Sequence, residues 1–195
     1  MKLLYTKRSP YARKVRVVAL EKQIPLDLLE EDLTNKSPRL LEANPLGKIP
    51  ALILENTETL VDSPVICEYL DGLKDKPRLI PLNQKERFKV LHYQALADGL
   101  MDVTVTCYME KIRHPQNFQE SFIKSQEATI KRTLLYLGEN LKNFDKLNLA
   151  SIAIAAALGY IGFRLPQLGP TSNSNLHQWF LKFSNRPSME ATRPS

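Results

Sequence analysis

The chain has 195 residues, of which 43% are hydrophobic and 25% are charged, and its formal net charge is +6. This length suits one large domain or two small ones, and the composition is typical of a soluble globular protein. No apolar run approaches the roughly 18 residues that a membrane span needs, and the sequence turns polar directly after Tyr5. We therefore expect a cytoplasmic protein with no membrane partner.

The positive charge permits nucleic-acid binding in principle, but the cations are dispersed and form no basic tract with interleaved aromatic residues. We predict a solvated basic surface and no nucleic-acid partner. One local enrichment surrounds the start of the first predicted helix, where five cations stand close together: Lys7, Arg8, Arg13, Lys14 and Arg16. Their field favours an anionic ligand at that place.

The first part of the chain alternates strand and helix patterns. Residues 3–5 form a short apolar run, residues 10–23 carry apolar side chains at helical spacing, and residues 26–33 resume a strand pattern. This order favours two parallel strands joined by a right-handed crossover helix. A looser helix, two short strands and a further helix follow, with predicted ranges 34–43, 51–54, 59–61 and 65–73. The order β-α-β, α, β-β-α predicts a compact layered α/β domain.

A proline-bounded run from Asp75 to Pro81 separates this domain from a region with only helical patterns. The helices predicted there cover residues 84–113, 118–141, 149–163 and 175–184. The third of them is apolar almost throughout, which indicates a buried central helix. We expect an α/β domain over residues 1–76, a linker over 77–83 and an all-α domain over 84–195.

The two cysteines, Cys67 and Cys107, lie in separate helical patterns and belong to no Cys-x-x-Cys pair or zinc spacing. We expect two reduced, mostly buried thiols and no metal. A catalytic role for either cysteine has no local support.

The segment from Thr6 to Arg13 links the first strand to the first helix. Ser9 falls at the N-cap position and Pro10 at the first helical position, where proline is favoured because no backbone donor is needed. The free N–H groups of a first turn hold an anion, and a hydroxyl there donates a hydrogen bond to a thiolate and lowers its pKa. Ser9 is therefore our candidate for binding and ionising a thiol cofactor. A plain helix cap is the competing interpretation of Ser9, and Thr6 is a rival hydroxyl.

Two further segments complete the pattern. Residues 44–50 (NPLGKIP) form a turn-rich run before a strand, and residues 62–70 (DSPVICEYL) repeat the helix-start chemistry of Ser9 and Pro10. Combined at this spacing, the three segments resemble the cytosolic glutathione transferases, including their bacterial members, and the resemblance extends over the whole chain. It implies a thioredoxin-like first domain, a short linker and an all-helical second domain.

The resemblance also implies roles for particular residues. A cis peptide bond before Pro50 would aim the backbone of Ile49 at the cysteinyl part of glutathione, which would pair with it like an added strand. Asp62 would meet the ammonium of the γ-glutamyl end, and Ser63 would meet its α-carboxylate at a helix N-terminus. Lys48 would bind the glycyl carboxylate. An ordinary turn, a helix cap and a solvated lysine remain the structural alternatives for these segments.

Ser9 would face the sulfur in this arrangement. The run Ser9-Pro10-Tyr11-Ala12 resembles the Cys-Pro-Tyr-Cys of glutaredoxins with both sulfurs absent, so it excludes disulfide exchange at this position. The resemblance implies a homodimeric transferase for detoxification, with glutathione as co-substrate, whose thiolate attacks a small electrophile in a cleft between the domains. It implies no metal. The alternative is a glutathione-transferase-like binding or regulatory protein with little or no turnover, and a specialised isomerase or dehalogenase is a third option.

One departure from the family pattern lies in the second domain. Asn148 and Ser151 stand where the family usually has a Ser/Thr-x-x-Asp capping box. Asparagine caps helices well, but we expect that Ser151 cannot complete the box because it lacks the carboxylate. The departure bears on folding of the central helix and casts little doubt on the chemistry.

Overall fold

The structure is a computed structural model that describes residues 1–171 and 174–195. The described chain divides into two compact units. The first comprises Met1–Pro81 together with Pro187–Ser195, and the second comprises Leu82–Arg186. The C-terminal segment therefore lies outside the helical unit, whereas the ranges predicted from the sequence place all of residues 84–195 in one helical domain.

A mixed four-stranded sheet forms the core of the first unit. In chain order its strands are β1 (Lys2–Tyr5), β2 (Asp27–Glu30), β3 (Ala51–Ile53) and β4 (Thr59–Leu60). Their spatial order is β2-β1-β3-β4, with β1 parallel to β2 and antiparallel to β3, and β3 antiparallel to β4. The parallel pair is the one expected from the first strand, helix and strand. Leu3 and Leu4 on the inner strand β1 are completely buried.

Three helices surround this sheet: α1 (Pro10–Glu21), α2 (Pro38–Ala43) and α3 (Ser63–Gly72). Each has a proline in its first turn. α1 buries an apolar face that includes Val15 and Val18, and it packs against α3. α2 is shorter than the helix predicted over residues 34–43, because Ser37 caps it by accepting a hydrogen bond from Leu40 N at 3.1 Å.

In the described residues of the second unit, all regular secondary structure is helical. Its elements are α4 (Gln84–Arg113), α5 (Glu120–Glu139), α6 (Leu149–Arg164) and α7 (Asn175–Ser184), with short 3-10 helices at Leu141–Asn143 and Pro166–Leu168. α6 packs against α4 and α7, and all residues from Leu149 to Leu158 are buried. The buried central helix predicted from the apolar sequence is confirmed.

α6 begins with a complete capping box. The Asn148 Oδ1 accepts a hydrogen bond from Ser151 N at 2.9 Å, and the Ser151 Oγ accepts one from Asn148 N at 2.9 Å. The expectation that serine cannot complete the box is therefore wrong. A hydroxyl oxygen satisfies the N-cap amide as a carboxylate oxygen does.

The C-terminal segment begins with the short helix α8 (Pro187–Glu190), which packs against α1. Arg13 Nη2 donates to Met189 O at 3.1 Å, and Arg16 Nη2 donates to Ala191 O at 3.3 Å. These bonds place the segment in the first unit. Sequence patterns do not reveal this, because they indicate which side chains are buried and not which surface covers them.

The first unit has the order β-α-β, α, β-β-α, and the second is all-α, so the predicted fold class is confirmed. Among the described residues, no helix combines the length and the apolar character that crossing a membrane requires.

Candidate functional site

Three chain segments meet at one end of the sheet. β3 begins beside the end of β1, since Leu4 pairs with Ala51. β4 ends beside the start of β3, since Leu60 pairs with Leu52. The segments that follow β1, precede β3 and follow β4 therefore lie together. They are the three motif segments singled out in the sequence.

A hydrophobic cluster anchors two of these segments. Its buried members are Leu4, Leu40, Ala43 and Ala51. Ile49 and Val61 pack against the same cluster from the segments before β3 and after β4. Because these apolar side chains are held in the core, the neighbouring residues Pro50 and Asp62 are held at the end of the sheet.

Ser9 caps α1. Its Oγ accepts a hydrogen bond from Ala12 N at 3.1 Å, and its backbone carbonyl accepts one from Arg13 N at 3.0 Å. The Ser9 N–H donates to Thr6 O at 3.3 Å and closes the turn between β1 and α1. Within the described chain the Ser9 hydroxyl donates to no acceptor, so its proton is available to a ligand. The cap and the donor are therefore compatible roles of one side chain.

Asn44 organises the turn that leads to residues 49–50. Its Oδ1 accepts from Leu46 N at 3.0 Å, and its Nδ2 donates to Lys48 O at 2.8 Å. Gly47 has a φ of +58°, in the left-handed region that favours glycine. Asn44 is not among the site residues predicted from the sequence, although the turn-forming run NPLG that begins with it was the available signal.

The Ile49–Pro50 peptide bond is cis, as the resemblance implies. Pro50 is buried and Ile49 is half-buried, whereas Lys48 is exposed. Since β3 is paired from Ala51 onward, the peptide groups of Ile49 lie beyond the end of the paired strand. They are therefore not used in the pairing of β3 with β1.

Asp62 and Ser63 start α3. Asp62 is the N-cap residue, and its carbonyl accepts from Ile66 N at 3.0 Å. Its exposed carboxylate caps no amide of the first turn within the described residues. Ser63 is only 3% exposed and is the first residue of the helix. An unengaged carboxylate beside helix-terminal N–H groups suits a zwitterion, with its ammonium at the carboxylate and its own carboxylate at the amides.

The basic residues around α1 do not form a surface patch of five cations. Arg13 and Lys14 are buried, and only the two cations before Ser9 are exposed. Burial, reinforced by repulsion from Arg16 and Arg193, lowers the pKa of Arg13 to about 10. Arg13 is therefore a protonated, buried cation at neutral pH, one helical turn from Ser9.

Cys67 and Cys107 are both buried, as expected, and the two are not joined in a disulfide. Burial raises the pKa of the Cys107 thiol, which leaves less thiolate at neutral pH. Over residues 1–171 and 174–195, no group of three or more His, Cys, Asp or Glu side chains is arranged to hold a metal ion.

Comparison with known proteins identifies the family. Residues 8–73 match the model of the glutathione S-transferase N-terminal domain. The chain is 36% identical over 168 residues to the uncharacterized GST-like protein YibF of Escherichia coli, covering 84% of this chain and 83% of that protein. It is 34% identical over 165 residues to a probable glutathione S-transferase of Solanum tuberosum, covering 83% and 73% respectively. The chain belongs to the glutathione S-transferase family.

Two crystal structures match the fold over the whole length of this chain. A glutathione S-transferase from Methylobacillus flagellatus with GSH bound has a TM-score of 0.93 and 37% identity, covering 100% of this chain and 99% of that chain. A glutathione transferase family member from Pseudomonas fluorescens with bound glutathione has a TM-score of 0.90 and 36% identity, covering 100% and 98% respectively. The family named from sequence motifs is confirmed.

Proposed function

We propose that this protein is a glutathione transferase that binds glutathione as co-substrate, ionises its thiol and lets the thiolate attack an electrophilic substrate. The observation that carries the proposal is the convergence of two helix N-termini and the start of β3 at one end of the sheet. Family membership, and two similar proteins crystallised with glutathione, support the same ligand.

Glutathione matches the chemistry of this end of the sheet. Its γ-glutamyl end carries an ammonium, which the Asp62 carboxylate binds, and an α-carboxylate, which accepts from Ser63 at the start of α3. Its cysteinyl backbone pairs with Ile49 beside the cis bond to Pro50, as a short added strand. The exposed Lys48 binds the glycyl carboxylate.

Ser9 is the residue that activates the sulfur in this proposal. Its Oγ accepts from Ala12 N and its proton has no acceptor among the described residues, so in this proposal the hydroxyl donates to the thiolate. A hydrogen bond to a charged group contributes about 1.5–3 kcal/mol, which corresponds to about one to two pKa units. The partial positive charge at the start of α1 acts in the same direction. A thiolate held in position is the nucleophile.

The first experiment measures binding and ionisation separately. Calorimetry with reduced glutathione should detect association, and thiolate absorbance against pH should show the bound thiol titrating below the free tripeptide. Ser9→Ala should retain binding while raising the pKa of the bound thiol by about one unit or more. Ser174→Ala is the matched control, because Ser174 caps α7 with the same 3.1 Å bond, to His177 N, and belongs to the second unit.

Conjugation of a chlorodinitrobenzene at about pH 6.5 reads out turnover, and Ser9→Ala should slow it about tenfold per pKa unit gained by the thiol. If Thr6→Val raises the thiol pKa and Ser9→Ala does not, Ser9 is the wrong residue. No association of the wild-type protein with reduced glutathione overturns the whole proposal. Binding without turnover toward a broad panel of electrophiles would instead support the alternative, a binding or regulatory protein.

Several finer points stay predictions. The homodimer is tested by light scattering, which should give twice the mass of the chain. The cytoplasmic location rests on the sequence argument. The domain ranges 1–76, 77–83 and 84–195 rest on it too, and they differ from the compact units, which assign Pro187–Ser195 to the first unit. The electrophile is assigned only by class, as a small electrophilic molecule.

A further inference from the structure

Arg13 ties α1 to the C-terminal segment at the end that carries Ser9. Its backbone N–H donates to the Ser9 carbonyl at 3.0 Å, so the two residues are joined by the first helical hydrogen bond of α1. Its side chain is 4% exposed and donates from Nη2 to Met189 O at 3.1 Å and from Nε to Thr192 Oγ1 at 3.4 Å. The residue thus connects the cap of α1 to residues 187–195.

The residues that accept the hydrogen bonds of Arg13 are themselves buried, and Thr192 forms a further hydrogen bond. Met189 and Thr192 are 0% and 1% exposed, and Thr192 Oγ1 donates to Ser188 O at 2.8 Å. A second contact lies at the opposite end of α1, where Ser188 Oγ donates to the Glu21 carboxylate. The C-terminal segment is therefore bonded to α1 near both of its ends.

The charge of Arg13 is not neutralised locally. Its side chain forms no ion pair with a carboxylate in the described part of the chain, and its charged neighbours Arg16 and Arg193 repel it. An apolar side chain of similar volume would fill the buried position of Arg13 without the free-energy cost of desolvating a cation, so packing alone does not explain an arginine there. A cation kept one turn from Ser9, in a poorly screened environment, favours an anion at the start of the helix.

We propose that Arg13 is a positioning residue of the Ser9 site. The C-terminal segment 187–195 contributes to that site by accepting the hydrogen bonds that hold Arg13 in place. The inference rests on the proposed function, in which the sulfur of glutathione docks at Ser9. Arg13 does not touch glutathione. It holds the turn that carries Ser9 against Met189 and Thr192, and its charge adds to the field at the start of α1.

Three full-length variants test the inference through the titration of bound glutathione. Arg13→Met removes the charge and both bonds, and should raise the pKa of the bound thiol by about half a unit to one unit, which slows conjugation at pH 6.5 about three- to tenfold. Arg13→Lys keeps the charge without the planar guanidinium fork and should give a smaller rise. Thr192→Val removes only one acceptor and should also give a small rise.

Ser188→Ala is the matched control, because it breaks the contact to Glu21 and leaves the acceptors of Arg13 in place. It should lower thermal stability without moving the thiol pKa, an outcome that a merely structural role of Arg13 does not predict. The inference is overturned if Arg13→Met leaves the thiol pKa unchanged, or if Ser188→Ala raises it as much.

A rise in Arg13→Met with none in either Arg13→Lys or Thr192→Val would assign the effect to charge alone and remove the segment from the site. Should Arg13→Met fail to fold, the comparison of Thr192→Val with Ser188→Ala decides the question. A wild-type protein that binds and ionises glutathione while these variants behave alike refutes only this inference. A wild-type protein that does not bind glutathione refutes the proposed function first.

Discussion

Ser9 caps α1, and in the proposed function the same hydroxyl also donates to a ligand. Ser37 and Ser174 cap α2 and α7 with bonds of 3.1 Å, the same length as the bond at Ser9. Their hydroxyl protons, however, are donated to Glu31 and to Thr171 O, at 2.7 and 2.8 Å. Among these three caps in the described chain, Ser9 alone donates its hydroxyl proton to no acceptor, which is the observation that favours a ligand-binding role for it over the other two.

Cys107 provides a prediction at the scale of one side chain. Because burial raises the pKa of its thiol and shields the sulfur, iodoacetamide should alkylate Cys107 in the native protein more slowly than free cysteine. Cys107→Ala should leave conjugation unchanged, since the reacting thiol belongs to glutathione. Mass spectrometry of the alkylated protein provides the measurement.

The raised pKa of Cys107 also determines how its contribution to the free energy of unfolding changes with pH. The unfolded chain releases the Cys107 proton near the ordinary pKa of 9.0, and the folded protein retains it to higher pH. The free energy of unfolding therefore contains a contribution that declines as the pH rises above about 9. Rapid alkylation of Cys107 in the native protein would contradict both expectations.

At the scale of secondary-structure elements, a buried ion pair joins the ends of α1 and α3. The Lys22 Nζ donates to the Asp71 carboxylate at 2.8 Å, and both side chains are buried. The three N–H groups of this ammonium are shared between that carboxylate and three backbone carbonyls within hydrogen-bond distance, those of Asp71, Lys74 and Pro77. The carboxylate accepts in turn from Leu79 N and Ile80 N, each at 2.9 Å. Charge-assisted bonds thus hold the segment after α3, which has no regular secondary structure.

Removal of this ammonium should be strongly destabilising. Lys22→Met leaves the Asp71 carboxylate buried without its counter-ion, and should lower the free energy of unfolding by about 3–5 kcal/mol in urea denaturation. Lys74→Met is the control, because this exposed side chain makes one bond, to Gln23 O, and its loss should cost about 1 kcal/mol or less. Equal effects of the two substitutions would refute the special role of the buried pair.

At the scale of the whole molecule, the net charge of +6 is distributed among cations in different environments. Lys14 and Lys22 are buried. Arg39 pairs with Glu31 at 2.6 Å, and several other cations are bonded to backbone carbonyls or carboxylates. The net charge is therefore a sum over cations in different environments, and its value does not by itself indicate a phosphate-binding surface.

We accordingly predict no specific association with duplex DNA. Fluorescence anisotropy at about 20 mM salt should show weak binding at most, which should disappear at about 150 mM because it depends only on released counterions. Saturable binding that persists at the higher salt concentration and varies with DNA sequence would contradict the prediction.

The elements of this protein follow from short-range patterns that the sequence determines by itself. The range predicted for α4 agrees with Gln84–Arg113, and the apolar run of α6 specified a buried central helix. Ser9 was correctly placed as the cap of α1. Periodicity, caps and proline positions act within a few residues along the chain, so they can be read without the fold. The three motif segments were also found from local patterns. The glutathione-binding roles predicted for them came from the family resemblance.

Only the tertiary structure decided how these parts are joined. Arg13 and Met189 are 176 residues apart in the sequence, and Lys22 and Asp71 are 49 apart, so neither contact leaves a local pattern. Which hydroxyl keeps a free proton likewise depends on partners brought close by folding. Burial and hydrogen bonding are set by what packs against a residue, and the chain acquires those neighbours only when the sheet and helices assemble.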